Sequence, residues 1–478
     1  MQTGDLDVLE DLADRAVQFA LESGAHYCDV RAEVVESNGF VLENGQVENV
    51  SLRFDDGLGI RVLAEGSWGF CSFSHPISFD TIREGIIEAT RNALYCSQTK
   101  RNKVSLADVK AQEDRVVHKA QKRPHIEEMV SLGSDCDKIV REGKRIVRSS
   151  IRMHHDVFHK YYVNSEGSKI TQDYDDLIAE LSSTARESGI SETTSTTEGG
   201  RGGLELILGK NDILAKSALL SERAGQLVEA RAATEEKAVV VMNPDFVALL
   251  THEILGHPSE GDRVLGREMA WAGGSWWAGM LGEKIGSDEL SVYDDPTIGN
   301  SLGSYKYDDE GVPAARKSLI EEGVLVRHMQ SRETAAVFGT EPDSSMRSAG
   351  YSFMPLIRMA CTVIGPGNWN SEEMIKEVRE GYLICDMKVP SIDMMRYNWS
   401  ISCQYAQKIE KGELKGMVRD VIVMGTAPEF FRSIDARSKD FAVRPITNCG
   451  KGDPMQIMRM GNGGPFVRGI ATVKSVRQ

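Results

Sequence analysis

Long apolar segments are absent from the sequence. No run approaches the roughly 20 apolar residues that a membrane-spanning helix needs, and the opening residues, Met1–Asp7, have neither the basic nor the apolar region of a secretory signal peptide. We therefore expect a cytoplasmic protein that has no membrane partner.

Positive charge is also in short supply. The 478 residues include 56 Lys and Arg against 71 Asp and Glu, which gives a formal net charge of -15. Nucleic acids and anionic membranes repel an acidic protein that has no local basic patch, and the sequence shows no such patch. We therefore expect no nucleic-acid partner.

Paired cysteines are missing as well. The eight cysteines are scattered, and none stands in a C-x-x-C pair: Cys28, Cys71, Cys96, Cys136, Cys361, Cys385, Cys403 and Cys449. In an intracellular protein this scatter indicates reduced, mostly buried thiols rather than a disulfide framework. Any one of these thiols remains a candidate metal ligand.

The composition that remains is that of an ordinary globular protein, with 41% hydrophobic and 27% charged residues. A chain of this length exceeds what one hydrophobic core usually organises. We predict a multidomain α+β fold in which antiparallel and mixed β-sheets carry flanking helices. The predicted units are an N-terminal α+β domain (1–105), a middle α+β domain (115–232) and a C-terminal domain (233–478).

Local patterns predict individual elements within these units. Helices are predicted at Asp5–Gly24, Phe79–Tyr95, Glu127–Glu142 and Asn211–Ala232. Asn44-Gly45 and Asp56-Gly57 predict hairpin turns, because Asn, Asp and Gly accept positive φ angles. Gln98–Pro124 is polar and predicts a connector. Ser188–Gly203 is rich in Ser, Thr and Gly, which predicts a long loop or a mobile hairpin tip that could act as a lid.

The start of the C-terminal unit carries the chemistry. Val239–Met242 predicts a buried strand, and Asn243-Pro244 predicts a helix start, because Asn is a good N-cap and Pro suits the first helical position. The helix leads into His252–His257, with the sequence His-Glu-Ile-Leu-Gly-His. Zinc commonly binds imidazoles, and a neighbouring glutamate can accept a proton from water, as in the H-E-x-x-H metalloproteases. We therefore predict a zinc site on this helix.

The spacing of the two histidines is one residue longer than in H-E-x-x-H. Residues i and i+5 lie about 140° apart on a regular α-helix, at about 100° per residue. A π-bulge, or a helix that opens near Gly256, would bring the imidazoles together, and Pro258 disfavours α geometry at His257. The sequence therefore predicts a distorted helix end at His257.

A catalytic zinc normally has a third protein ligand and one open position, and spacing does not choose that third ligand. Glu260 and Asp262 follow the motif closely. Four cysteines lie downstream, namely Cys361, Cys385, Cys403 and Cys449. The local sequence leaves these alternatives open.

One rival cluster of histidines precedes the motif. His155 and His159 are four residues apart, with His154 beside them. The surrounding residues alternate like a strand, and no glutamate accompanies the cluster as a base. We therefore rank this cluster well below His252–His257 as a metal site.

From the motif outward, the sequence resembles the TldD/PmbA family, in particular its TldD-like members, over nearly the whole chain. The segments that carry the resemblance are Gly59–Val62, Asn164–Gly167, His252–Asp262, Tyr307–Gly311 and Asn448–Gly452. The resemblance implies a zinc peptidase in which His252, His257 and a cysteine near the C terminus bind the metal. The matching cysteine is Cys449, and Glu253 corresponds to the general base.

The resemblance also implies an assembly and a substrate. Family members form dimers, either of one chain type or of TldD-like and TldE/PmbA-like chains, and enclose the active site so that short or unfolded peptides reach it. This implies a peptide substrate held by strand addition, a mode that recognises backbone more than side chains. Ala272–Gly282 offers flexible backbone and aromatic surface near the motif, although it is equally well interpreted as an ordinary loop with two core tryptophans.

Two other classes of function stay open. The first is a non-catalytic regulatory or binding subunit with a structural zinc, which would need four ligands and no base, whereas a catalytic site loses turnover when Glu253 is replaced by Gln. The second is an amidase that acts on modified small molecules, which would leave ordinary peptides uncut.

Overall fold

Two large β-sheets, beside a small two-stranded one, organise the chain in the computed structural model, which describes residues 4–209, 211–268 and 273–475. The elements before residue 230 are α1 (Gly4–Glu22), β1 (Tyr27–Glu43), β2 (Gln46–Ala64), β3 (Ser67–Ser74), α2 (Phe79–Ser97), β4 (Glu113–His118), α3 (Ile126–Arg141), β5 (Ile146–Asn164), β6 (Lys169–Glu187), β7 (Ile190–Arg201), α4 (Glu205–Leu208) and α5 (Ile213–Leu227).

The remaining elements are β8 (Arg231–Ala232), β9 (Glu236–Met242), α6 (Pro244–Thr251), α7 (Gly261–Val264), β10 (Val292–Asp294), β11 (Lys317–Glu321), β12 (Val324–Leu325), α8 (Arg332–Phe338), β13 (Met346–Arg347), β14 (Leu356–Ile357), β15 (Cys361–Ile364), α9 (Ser371–Lys376), β16 (Glu380–Ile392), β17 (Asn398–Glu410), β18 (Glu413–Arg419), β19 (Val421–Thr426), α10 (Ala427–Ser433), β20 (Ala436–Lys451) and β21 (Gln456–Ser475). The predicted α+β class with antiparallel and mixed sheets is confirmed. Among the described helices, none is both long and apolar enough to cross a membrane.

The first sheet joins the two N-terminal units. Its strand order is β3-β2-β1-β5-β6, and β4 and β7 both pair with β6. β1 and β5 pair antiparallel from Asp29 opposite Asn164 to Glu43 opposite Ser150. The strands on either side of residues 105–115 therefore belong to one sheet, and the domain limits drawn there stay a prediction.

The second sheet forms the C-terminal part and carries the motif helix. Its order is β12-β11-β10-β15-β21-β9-β16-β17-β18-β8, with β19 on β17 and β21, and β20 on β21. β9 pairs in parallel with β16 and antiparallel with β21. α6 follows β9 directly, and all six residues of Phe246–Thr251 are buried. A helix that is apolar on all sides is typically enclosed by other elements in this way.

Most local predictions match the structure. The predicted helices correspond to α1, α2, α3 and α5, although α5 ends at Leu227 rather than at Ala232. Residues 231–232 instead form β8, which pairs with β18. The turn at Asn44-Gly45 is confirmed, since both residues have positive φ angles of 50° and 84°.

The hairpin turn predicted at Asp56-Gly57 is wrong. Both residues lie inside β2, where they pair with Val34 and Glu33, and the turn falls at Glu65-Gly66 instead. A Cβ at Gly57 would lie 2.3 Å from the ring of Tyr351. Glycine at this position therefore allows a close approach rather than a turn.

The long loop predicted at Ser188–Gly203 is also wrong, and the alternative of a hairpin tip applies only to the turn at Ser188-Gly189. β7 occupies most of this segment and pairs with β6 from Glu187 opposite Ile190 to Asp176 opposite Arg201. β-branched threonines suit such a strand, and Thr194 is buried with its hydroxyl donating to the carbonyl of Leu220 at 2.8 Å. The segment is a paired strand and not a lid. The predicted connector at 98–124 likewise contains a strand, β4.

Candidate metal centre

The motif helix changes its winding where the sequence predicts a distortion. The side chain of Asn243 caps α6 by accepting from the backbone N–H of Phe246 at 2.9 Å. After Thr251 the chain makes a π-helical turn over His252–Gly256, followed by a 3₁₀ turn that contains Pro258. The wider turn places the rings of His252 and His257 on one side, with centroids 4.7 Å apart. The predicted distortion is confirmed.

Cys449 completes a cluster of three metal-ligating groups. It lies on β20 next to an irregularity in the pairing with β21. Its Sγ atom is 3.4 Å from Nε2 of His257, and the ligand atoms of Cys449, His252 and His257 all lie within 4.8 Å of one another. Zinc bonds of about 2.0–2.3 Å in a tetrahedron separate neighbouring ligand atoms by roughly 3.3–3.8 Å. The distance from Sγ to Nε2 of His257 lies in this range, and the three buried side chains form a candidate site for such a metal ion.

Each imidazole is held from behind by a hydrogen-bond acceptor. Nδ1 of His252 donates to Oδ1 of Asn462 at 3.0 Å, and Nδ1 of His257 donates to Oε2 of Glu260 at 3.2 Å. In the neutral form of each imidazole, this bond keeps the proton on Nδ1 and leaves Nε2 free to bind a metal. Such supporting acceptors are typical of metal-binding histidines.

Glu260 is a buried carboxylate surrounded by cations. Arg263 donates to it at 2.8 Å, and Nζ of Lys451 lies 3.1 Å away. Burial alone would raise the pKa of Glu260. The positive charges of Lys451, His257 and Arg263 nevertheless hold this pKa well below its usual range. Glu260 thus supports His257 as an anion and does not belong to the three-residue cluster.

The thiol of Cys449 is disposed to ionise. Burial alone would raise its pKa, but the charges of His252, Arg358 and His257 hold the pKa well below the ordinary value of a thiol. Burial likewise opposes the charge of His252, and the nearby Cys449 still raises the pKa of this imidazole to about 9. The thiolate is the form of cysteine that binds metals.

Glu253 faces a cavity from the same helical turn. Its Oε2 atom accepts a hydrogen bond from Nη1 of Arg396 at 2.7 Å, and its side chain is 12% exposed. The cavity has a volume of 440 Å³, and its walls include His252, His257, Cys449, part of β7 and Pro445–Gly450 of β20. A substrate in this cavity would therefore touch the cluster and the carboxylate together.

The other candidate ligands lie elsewhere. Asp262 accepts from Lys451 at 2.8 Å, Cys361 contacts Ser301 Oγ at 3.1 Å, and Cys385 and Cys403 are buried in strands of the second sheet. The structure describes no second cluster of metal-ligating side chains within residues 4–209, 211–268 and 273–475.

The rival histidines lie on a strand, as their surroundings predict. His154, His155 and His159 belong to β5. Nη2 of Arg459 contacts His154 at 3.1 Å, and His159 contacts Asp173 at 2.8 Å. These partners account for the two histidines without a metal.

The aromatic segment near the motif is described from Gly273, and Ala272 lies outside the described residues. Trp277 is fully buried and donates to the carbonyl of Pro258 at 2.7 Å. Trp276 packs edge-to-face on Tyr397, with ring centroids 5.9 Å apart. The interpretation of this segment as a loop with core tryptophans therefore holds for Trp277.

Three supporting residues escape prediction from the local sequence. They are Asn462, Arg358 and Arg396. Arg358 donates to the carbonyl of Cys449 at 2.6 Å. None stands in a recognisable motif, and each reaches the site from a distant part of the chain. Lys451 could have been noted, because it lies two residues after Cys449 in a segment that carries the resemblance.

Comparison with known proteins defines the class. The chain matches the models of PmbA/TldA metallopeptidase domain 1 over residues 28–94, of the central domain over 120–232 and of the C-terminal domain over 235–467. A metalloprotease of Methanocaldococcus jannaschii is 32% identical over 96% of this chain and 98% of its own length. The chain therefore belongs to the PmbA/TldD metallopeptidase family.

Other proteins resemble the chain over nearly its whole length. A protein of Saccharolobus solfataricus named as a zinc metalloprotease TldD homolog is 27% identical over 95% of this chain and 97% of its own length. Two solved structures share the fold. One, from Thermotoga maritima, is described as a candidate modulator of a DNA gyrase (TM-score 0.79, 20% identity, 97% of this chain and 100% of that one), and the other is TldE from Thermococcus kodakarensis (TM-score 0.74, 18% identity, 97% and 100%).

Proposed function

We propose that this protein is a zinc-dependent metallopeptidase that hydrolyses short or unfolded peptides inside an enclosed dimeric cleft. The observation that carries the proposal is that His252, His257 and Cys449 share one 440 Å³ cavity with the carboxylate of Glu253. A structural zinc site uses four protein ligands, whereas three ligands beside a cavity leave a position for water and substrate.

The residues of the site have separate roles in this proposal. His252, His257 and Cys449 hold the zinc, and Asn462 and Glu260 fix the two imidazole tautomers. When bound, zinc supplies Lewis-acid chemistry by polarising a peptide carbonyl and making water more acidic.

Glu253 is the general base in this proposal. Its carboxylate takes the proton that the attacking water loses and delivers it to the leaving amine. The position of this carboxylate on the cavity wall, beside the ligand His252, supports the assignment.

The walls of the cavity include two β-strands, which could bind a peptide in an extended conformation. Pro445–Gly450 of β20 lines one side, and Ser195–Thr197 of β7 lines another. Within the described residues, this part of β20 pairs with β21 on one edge. A peptide added as a strand beside β20 would be held by its backbone, which supports a loose preference for side chains.

The dimer is a further part of the proposal, formed by two copies or with a TldE/PmbA-like subunit. β2 pairs with β3 from Gly57 onward, so the first half of β2 has no partner on that edge among the described residues. Val50, Leu52 and Phe54 alternate along this half and are 53%, 78% and 52% exposed. An open strand edge with an exposed apolar row favours association. The proposal places the dimer in the cytoplasm, without a nucleic-acid or membrane partner.

Hydrolysis of a panel of unstructured peptides by wild type and by Glu253→Gln tests this function. We expect the wild type to cleave several of the peptides, and the variant to keep its zinc while its turnover falls by about 10²- to 10⁴-fold. A zinc-loaded wild type that leaves every peptide intact would favour the non-catalytic subunit or the small-molecule amidase. Equal turnover of the two proteins would exclude Glu253 as the base.

A further inference from the structure

Arg396 is held at the cavity by a braced hairpin. It lies in the tip between β16 and β17, where Asp393 accepts from the backbone N–H groups of Tyr397 at 3.0 Å and of Asn398 at 2.8 Å. A second segment supports the same tip, because Trp276 donates its backbone N–H to the carbonyl of Met395 at 2.9 Å. The tip is therefore a fixed part of the cavity wall.

The backbone of Arg396 is itself unusual. Its φ angle is +63°, in the left-handed region that side chains other than Gly, Asn and Asp seldom adopt. Such a conformation is energetically unfavourable and persists where the surrounding structure requires it. This backbone conformation directs the side chain of Arg396 to Glu253, and its guanidinium donates a hydrogen bond to the carboxylate.

The guanidinium has more donors than the described residues use. A guanidinium carries five N–H groups, and one atom, Nη1, bonds to Glu253. Nε of Arg396 is buried and has no hydrogen-bond partner among the described residues. The side chain is 18% exposed and lines the same cavity as His252 and Cys449. Because the side chain is partly exposed at the cavity, its Nη2 group, which also has no partner among the described residues, can donate to an acceptor on a bound ligand.

We propose that Arg396 is a catalytic residue whose remaining N–H groups bind the carbonyl oxygen of the scissile peptide bond. This inference rests on the proposed peptidase function. As the water oxygen bonds to the carbonyl carbon, the π electrons of the carbonyl move onto its oxygen, and Glu253 takes the proton that the water loses. The fixed guanidinium stabilises the negative charge that forms on this oxygen.

A neutral carbonyl suits this position better than the terminal carboxylate of a peptide. Arg396 and Glu253 already balance each other in charge at 2.7 Å. A second carboxylate would place two negative charges around one guanidinium in a largely buried space, which is costly. A carbonyl is neutral when it binds, and its oxygen becomes negative during the reaction. The guanidinium therefore stabilises the transition state more than the bound substrate.

The test uses the zinc-loaded, full-length protein with Arg396→Ala and Arg396→Lys. The substrate is a cleavable peptide from the panel, offered with a free or an amidated C terminus, and the inhibitor is a phosphinic peptide of the same sequence that mimics the tetrahedral intermediate. We expect kcat of Arg396→Ala to fall by about 10²- to 10³-fold while KM changes little. Inhibitor binding should weaken in parallel, and Arg396→Lys should recover part of both losses.

Arg223→Ala is the matched control. Arg223 pairs with Asp386 at 3.0 Å, and its side chain is 24% exposed, but it lies outside the cavity wall. This variant should keep the wild-type kcat and inhibitor affinity. If Arg396→Ala fails to fold, the phosphinic-peptide affinity and kcat of Arg396→Lys decide the question, since a lysine retains the charge and loses the fork of donors.

Three results would overturn the inference. One is wild-type kcat in Arg396→Ala. Another is a raised KM confined to peptides with a free C terminus, which would make Arg396 a binder of terminal carboxylates. The third is full inhibitor affinity in Arg396→Lys. Failure of the peptidase function itself is distinguishable, because then the wild type, measured beside Glu253→Gln, would cleave none of the peptides.

Discussion

Asn462 accepts a hydrogen bond from His252 at 3.0 Å across a sequence separation of 210 residues. The amide of Asn462 is fixed in turn, since its Nδ2 donates to the carbonyl of Thr362 at 3.2 Å. The oxygen therefore points at His252 and selects the tautomer whose Nε2 can bind a metal. One buried amide thus joins β15 and β21 to the motif helix.

Replacing Asn462 with Ala should weaken zinc binding by about 10- to 100-fold, because His252 loses its orienting acceptor. Competition against a chelator of known affinity measures the change. Asn462→Asp keeps an acceptor oxygen and should lie closer to wild type. Wild-type zinc affinity in Asn462→Ala would show that this contact does not support the ligand.

A methyl group at Gly256 should destabilise the protein. A Cβ at this position would lie 1.9 Å from Sδ of Met359, which is fully buried and also receives a hydrogen bond from Asn462 at 3.6 Å. Alanine favours helices over glycine by up to about 1 kcal/mol, but overpacking a core costs typically 1–3 kcal/mol. We therefore expect Gly256→Ala to lower both the unfolding temperature and the zinc affinity.

Gly299→Ala is the control for this substitution, because a Cβ there meets no atom within 4 Å. Thermal unfolding of the two variants beside wild type gives the comparison. Equal unfolding temperatures for Gly256→Ala and Gly299→Ala would contradict the predicted clash.

Glu198 should make stability depend on acid pH. It is buried on β7, 2.7 Å from Nη2 of Arg444. Burial alone would raise its pKa, but Arg444 and Lys216 lower the pKa from 4.5 to about 2. The folded protein thus binds this proton less readily than the unfolded chain, and the stabilisation is present above pH 4.5 and lost as the pH falls towards 2.

Lowering the pKa of Glu198 from 4.5 to about 2 corresponds to roughly 3 kcal/mol at neutral pH. We expect Glu198→Gln to be less stable than wild type at pH 7 by an amount of this order, with a difference that shrinks steadily below pH 4.5. Urea unfolding at several pH values measures it, with Glu222→Gln, at an exposed glutamate, as control. A difference that stayed constant down to pH 3 would be inconsistent with the ion pair.

The part of the site that the sequence could predict is the distorted helix end, which depends on neighbouring residues alone. The spacing of His252 and His257, together with Pro258, confines the distortion to about two turns of chain, where local geometry decides the outcome. The partners that orient the site lie on distant strands and hairpins, as Asn462 and Arg396 do. Their positions depend on which strands become neighbours, and local periodicity carries no information about that.

The two wrong predictions in the N-terminal half have the same origin. Asp56-Gly57 has the composition of a turn, but pairing with β1 continues through it, and the missing side chain of Gly57 leaves room for Tyr351. Ser188–Gly203 has the composition of a loop, but β6 offers it an edge along twelve residue pairs. Tertiary pairing outweighed local composition in both places.

The metal and catalytic roles of His252, His257, Cys449 and Glu253 stay predictions.

Zinc content of the purified protein tests the central claim most directly. Elemental analysis of folded wild type, His252→Ala, Cys449→Ala and Glu253→Gln should give about one zinc per chain in wild type and in Glu253→Gln, and little in the other two. A metal-free wild type prepared without chelators, or a Cys449→Ala protein that binds zinc as tightly as wild type, would contradict the three-ligand site.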